Sequence, residues 1–213
     1  MMKTKLLAAI AAVGAIAFSS GASAVPLCST FATIGALIGG GGTCVDDADQ
    51  DLQLFFDSTT LPLTTGFSVT EGEIGLTDFY DVNLNFPSNF NPAASDTFIY
   101  DLASLDPNQF IDAANFDTNV QGTGFTATKE IFNDSGLLLT LTSTNGSRDP
   151  AQGETPIPPQ LGIHVVDTFN HGTGFFNSAS NSFDTTKRLA PEPATLALLG
   201  LGLLGMALRR RGS

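Results

Sequence analysis

Tryptophan is absent from the 213-residue chain, and cysteine, histidine and tyrosine occur only twice each. Each scarcity closes off a class of chemistry. Cys28 and Cys44 stand 16 positions apart with no histidine nearby, which is neither zinc-ligand spacing nor the two-residue separation of a redox pair. His164 and His171 are the whole histidine complement, and strand alternation sends His164 and Asp167 to opposite faces, so the trio makes no metal or hydrolytic centre. Gly66-Phe67-Ser68-Val69-Thr70 ends on threonine where a nucleophile elbow needs glycine. Glu71 and Glu73 can share a strand face, but glycosidase chemistry needs two carboxyls across a cleft. Basic residues are scarce as well: between residues 25 and 190 the chain sets 20 Asp and Glu against Lys129, Arg148, Lys187 and Arg188, an excess of sixteen negative charges. Such a body repels phosphate backbones and anionic headgroups, which excludes nucleic acid as a partner and leaves divalent cations attracted. Sugar-binding faces favour rings with a polar edge. Only Tyr80 and Tyr100 offer one, and the 17 Phe fit a core better.

Long apolar runs are missing from the body and present at both ends. Lys3 and Lys5 precede the run Leu6 to Phe18, and Ala22-Ser23-Ala24 supplies small residues for cleavage. Residues 1–24 therefore read as a secretory signal peptide, with Val25 the first mature residue. In an oxidising compartment Cys28 and Cys44 are expected to pair, closing a loop of roughly 15 residues for about 3 kcal/mol. At the other end stand Pro191-Glu192-Pro193, the apolar run Ala194 to Leu208, and Arg209-Arg210-Arg211. Fifteen residues at 1.5 Å rise reach about 22 Å, short of the ~30 Å hydrocarbon core, so the helix is a marginal span helped by snorkelling arginines. Leu, Ala and Gly occupy every face of it, which leaves no polar stripe for a core helix of a soluble domain. The arginines belong on the cytoplasmic side, so the body lies outside.

Those three tail features resemble the PEP-CTERM sorting signal of Gram-negative bacteria, which holds exported proteins for exosortase, a membrane protease. The resemblance implies exosortase and, transiently, the inner membrane as partners. It implies a body that is periplasmic while anchored and afterwards at the cell surface or outside the cell. Extracellular polysaccharide enters as a partner on the same ground, because this export class resembles proteins of the extracellular polymeric matrix.

Residues 25–190 suffice for one domain, between the signal peptide (1–24) and the sorting and anchor segment (191–213). Ser29 or Thr30 can cap a short helix through Phe31, Ile34, Leu37 and Ile38, which Gly39 to Gly42 must end. After Cys44 the texture is of short apolar alternations. The clearest row runs Ile74, Leu76, Asp78, Tyr80, Val82, Leu84, Phe86, with either a bulge or a junction of two strands at the acid. Further strands are predicted over Leu52–Phe56, Gly66–Thr70, Thr97–Leu102, Phe125–Phe132, Leu137–Ser143 and Leu161–Phe169, with a tight turn at Asn145-Gly146. Pro150 to Pro159 reads as an extended loop, and Ser178 to Leu189 as the way out to the anchor. The expected fold is all-β: an antiparallel β-sandwich with a short N-terminal helix closed by a disulfide, plus the signal peptide and a C-terminal membrane helix. Cys28, Gly39 to Gly42, Cys44 and the acidic Asp46-Asp47-Ala48-Asp49 also resemble the openings of other PEP-CTERM bodies, a likeness that brings no activity with it. Asp47, Asp49 and Asp51 alternate like the first ligands of a calcium loop, yet Leu52 and Ser58 stand where an EF-hand has Gly and Glu. The expectation is a non-enzymatic exported surface or matrix protein without a cofactor, and alternatively a glycan-binding or calcium-stabilised adhesion module.

Overall fold

The computed structural model describes residues 24–46, 50–74, 77–149 and 154–188. A 3-10 turn at Cys28–Thr30 leads into helix α1 (Ile34–Gly39). The strands are β1 (Thr43–Val45), β2 (Leu52–Thr59), β3 (Gly66–Ile74), β4 (Thr77–Phe90), β5 (Ser95–Ser104) and β6 (Gln109–Thr123). They continue as β7 (Thr126–Asn133), β8 (Gly136–Thr144), β9 (Ser147–Asp149), β10 (Thr155–Gln160), β11 (Gly162–Asn170) and β12 (Thr173–Lys187). They form a seven-stranded sheet, β1-β2-β5-β11-β7-β8-β9, and a five-stranded sheet, β10-β6-β12-β4-β3. Neighbours in both are antiparallel.

Every-second-residue burial drives the packing. Phe98, Tyr100 and Leu102 of β5, with Ile163, Val165 and Phe169 of β11, turn inward from one sheet; Tyr80, Val82 and Leu84 of β4 and Phe183 of β12 do so from the other. Phenylalanines meet at the seam: Phe169 lies 5.1 Å from Phe86 and 5.5 Å from Phe176, near-perpendicular in both cases, the arrangement that ring quadrupoles favour.

The junction in the long alternating row is two strands meeting, since β3 ends at Ile74, β4 begins at Thr77 and the two residues pair. The helix start corrects the expectation. Neither Ser29 nor Thr30 caps α1; Thr33 does, its Oγ accepting from the Ala36 N–H at 3.1 Å, because the preceding 3-10 turn already takes up Cys28 to Thr30. Cys28 and Cys44 are joined, which ties this segment to β1.

Two larger corrections concern β12 and β10. Ser178 to Lys187 is no exit path: it is the body of β12, bonded on both sides by β6 and β4 at the centre of its sheet. Within the expected proline loop, Thr155–Gln160 forms strand β10 at the sheet edge. An edge position is where proline, having no N–H to give, is tolerated.

Candidate functional site

Where β12 ends, the core becomes polar. Asp78 and Tyr80 follow each other on the inward row of β4, Gln109 opens β6, Thr185 and Lys187 close β12, and Asp51 precedes β2. Tyr80 donates its hydroxyl proton to Asp51 Oδ1 at 2.5 Å, and Gln109 Nε2 donates to Thr185 Oγ1 at 2.6 Å and to Asp78 Oδ2 at 3.0 Å. Lys187 Nζ lies 3.4 Å from Asp51 and 3.3 Å from Asp78. Burial, followed by the bond to Asp51, holds the Tyr80 phenol well above its ordinary range. Next to this network Asp46 accepts from the Leu52 N–H at 3.0 Å, and burial raises its pKa. The lysine ammonium thus sits between two carboxylates.

Of the residues expected to hold calcium, Asp51 faces inward into this network, while Asp47 and Asp49 lie outside the described residues. Among the described residues no group of three or more acids, histidines or cysteines has metal-holding geometry.

A second polar group lies between the sheets. Lys129 of β7 and Asp167 of β11 are register partners, both fully buried. Lys129 reaches across the sandwich: its Nζ donates to the Asn115 carbonyl at 2.7 Å and lies 3.9 Å from the Phe183 ring centre. Burial pushes the amine down to about 7, opposed by the charge of Asp167. Burial likewise pushes the Asp167 carboxyl up to about 7, opposed by Lys129 and by Asn181.

A groove of about 1170 Å³ runs from the outward side chains of the seven-stranded sheet past the β10–β11 and β7–β8 turns to Phe110 and Gln160 of the five-stranded one. His164 and Asp167 indeed face opposite ways, His164 outward. There its Nδ1 lies 2.7 Å from Asp101 Oδ1. Among the described residues no serine, threonine or cysteine hydrogen-bonds its other nitrogen. His171 follows the opposite end of β11 from His164, and its ring bonds the Pro92 carbonyl at 2.9 Å. Not all the phenylalanines are in the core: Phe55 is 37 % exposed, and Phe110 and Phe132 line the groove with it. The sequence signal was present, since each falls one step out of phase with a buried row.

The root of the tail is fixed to the body. Besides the Lys187 contacts, the Arg188 N–H donates to the Asn108 carbonyl at 2.7 Å and its guanidinium stacks 4.6 Å from the Phe110 ring. The chain that follows, residues 189–211, matches the PEP-CTERM protein-sorting motif. The protein carries a PEP-CTERM sorting signal. The match takes in Pro191, Glu192, Pro193 and Arg209 to Arg211, all outside the described residues, as is the expected membrane helix. No helix among the described residues is long and apolar enough to cross a membrane. A PEP-CTERM signal supports sorting through exosortase to a secreted or cell-surface destination. No curated protein and no solved structure matches the chain.

Proposed function

We propose that the protein is a non-enzymatic surface or matrix protein, exported by its signal peptide and tethered by Ala194 to Leu208. Exosortase then releases or transfers it by cleavage near Pro191 to Pro193. The observation carrying this reading is the PEP-CTERM match beginning one residue after Arg188, the last of the described residues and one pinned to the sandwich. A protease at the membrane then meets a folded body on one side of its substrate motif and a run of apolar residues on the other. The polar groups support a structural body: Asp51, Asp78, Gln109 and Lys187 pair with one another inside the fold, with only Gln109 Oε1 left without a hydrogen bond among the four residues' amide and ammonium groups, and among the described residues no serine, threonine or cysteine hydrogen-bonds His164.

The test is intact-mass analysis of protein recovered from its native host, with Pro191, Glu192 and Pro193 replaced by alanine in a parallel strain. The wild type is expected trimmed at the motif and absent from the inner membrane, the variant full-length at its C-terminus and membrane-bound. Equal trimming of both proteins would refute the reading. A second reading, an adhesion module of the polymeric matrix, is favoured by one observation, the ring-lined groove that begins on the outer face of the seven-stranded sheet.

A further inference from the structure

We propose that the outer face of the seven-stranded sheet binds a neutral polysaccharide chain laid across the strands along Phe55, Asp101, His164 and Phe132. The inference rests on the adhesion reading and names its ligand. Phe55 on β2 is the register partner of Asp101 on β5, Asp101 of His164 on β11, and His164 of Phe132 on β7. All four side chains therefore share the face turned away from the core. Three strand-to-strand steps of ~4.8 Å set the two phenylalanines roughly 14 Å apart. Between these rings stands the hydrogen-bonded Asp101–His164 pair, with the imidazole 6.1 Å from the Phe132 ring.

Ring, carboxylate, imidazole, ring is a sequence of surfaces suited to a polymer that alternates C–H faces with hydroxyl edges. Pyranose C–H groups pack on phenylalanine faces, while a carboxylate accepts from hydroxyls and an imidazole nitrogen either gives or accepts. An apolar peptide or lipid would bury the second Asp101 oxygen and the second His164 ring nitrogen, which the bond between them leaves open, at about 1–3 kcal/mol for each group left unsatisfied. An anionic polymer would meet a body with sixteen excess negative charges and Asp101 itself in the groove. Between a neutral and an anionic polysaccharide, the charge favours the neutral chain. The walls are held in place beforehand: Asn133 Nδ2 donates to Gln160 Oε1 at 3.0 Å and Gln160 Nε2 donates to the Pro158 carbonyl at 2.9 Å. A groove already ordered loses less on binding.

The test is native-gel affinity electrophoresis of the full chain in zwitterionic micelles, in gels cast with laminarin, dextran or hydroxyethyl cellulose as neutral glucans and alginate as a polyanion. At least one neutral glucan is expected to retard the protein and alginate is not. Phe55→Ala/Phe132→Ala should weaken retardation about tenfold or more, equivalent to ~1.4 kcal/mol. Leu63→Ala, an exposed residue off this face, should behave as the parent, and far-UV circular dichroism checks that each variant folds. If no neutral glucan retards the protein, both this inference and the adhesion reading fall. Retardation that survives the double substitution, in Phe55→Ala as well, overturns the inference and leaves the adhesion reading standing. A preference for alginate overturns the neutrality of the ligand.

Discussion

Replacing Lys129 and Asp167 together by methionine and leucine should make the protein more stable at pH 7, and the gain should depend on pH in a way fixed by the geometry. Lys129 has no solvent, one carbonyl and a phenyl face around its amine, so its pKa falls from 10.5 to about 7. Above pH 10.5 the amine is neutral in both folded and unfolded chains and contributes nothing. As pH falls towards 7 the unfolded chain binds a proton that the native state refuses, and native stability drops throughout that window. Asp167, raised from 3.8 to about 7, behaves in the mirror sense: its penalty is absent below 3.8, grows as pH rises, and is complete above 7. At ~1.4 kcal/mol per pH unit each group costs on the order of 4 kcal/mol when its window is fully crossed. Both costs are close to full near neutrality. Mutual attraction is already contained in these values, so removing both groups while keeping their volume is expected to stabilise by about 1–4 kcal/mol at pH 7. The advantage should shrink towards pH 4, where the acid no longer costs, and towards pH 10, where the amine no longer does. Without tryptophan, the readout is far-UV circular dichroism during urea unfolding, with midpoints compared at pH 4, 7 and 10. A double variant less stable than the parent at pH 7, or a difference independent of pH, would refute this reasoning.

Tyr80→Phe removes the donor to Asp51 and should lower stability by about 1–3 kcal/mol, as a buried carboxylate loses a partner; an unchanged urea midpoint would mean that Lys187 alone satisfies it. Two glycines with the same backbone requirement separate strain from crowding. Gly122 (φ +124°) would bring a Cβ to 1.8 Å from the Thr173 carbonyl oxygen, whereas Gly136 (φ +128°) has nothing within 4 Å. Gly136→Ala should therefore cost only the backbone strain, about 1–3 kcal/mol, and Gly122→Ala clearly more, read as the difference between their thermal midpoints.

Strands whose inward positions are uniformly apolar were legible in the chain. β4, β5, β7, β8 and β11 each carry such a row or nearly so, and the Asn145-Gly146 turn has the positive φ at both residues that the pairing of Thr144 with Ser147 needs. β12 was not legible, although it is the middle strand of its sheet. Its inward row runs Phe176, Ala179, Asn181, Phe183, Thr185, three of the five polar or small, and the register shift between Phe176 and Ser178 breaks the alternation. β6 hides for the same reason: a shift opposite Asp184 and Thr185 puts Ala113 and Ala114 both inside. Periodicity fails wherever a bulge inserts a residue. The polar core was half visible, since Lys129 and Asp167 each interrupt an otherwise apolar row, but which strands adjoin is a long-range fact. For the Phe55, Asp101, His164, Phe132 row the phase of each phenylalanine shows in the linear chain, but the alignment of the four depends wholly on that adjacency.

The outer strands of both sheets have a bearing on life in a crowd. β1 and β9 are three residues each, β10 contains Pro156, Pro158 and Pro159, and the start of β3 is already bonded by the segment around Ala32 and Ile34. A chain adding itself to β1, β9 or β10 finds too few free amide groups to build on, and one adding itself to β3 is met at its start by the Ala32–Ile34 segment. Three of the four borders among the described residues are thus poor templates for zipping together molecules packed densely beside one another after sorting.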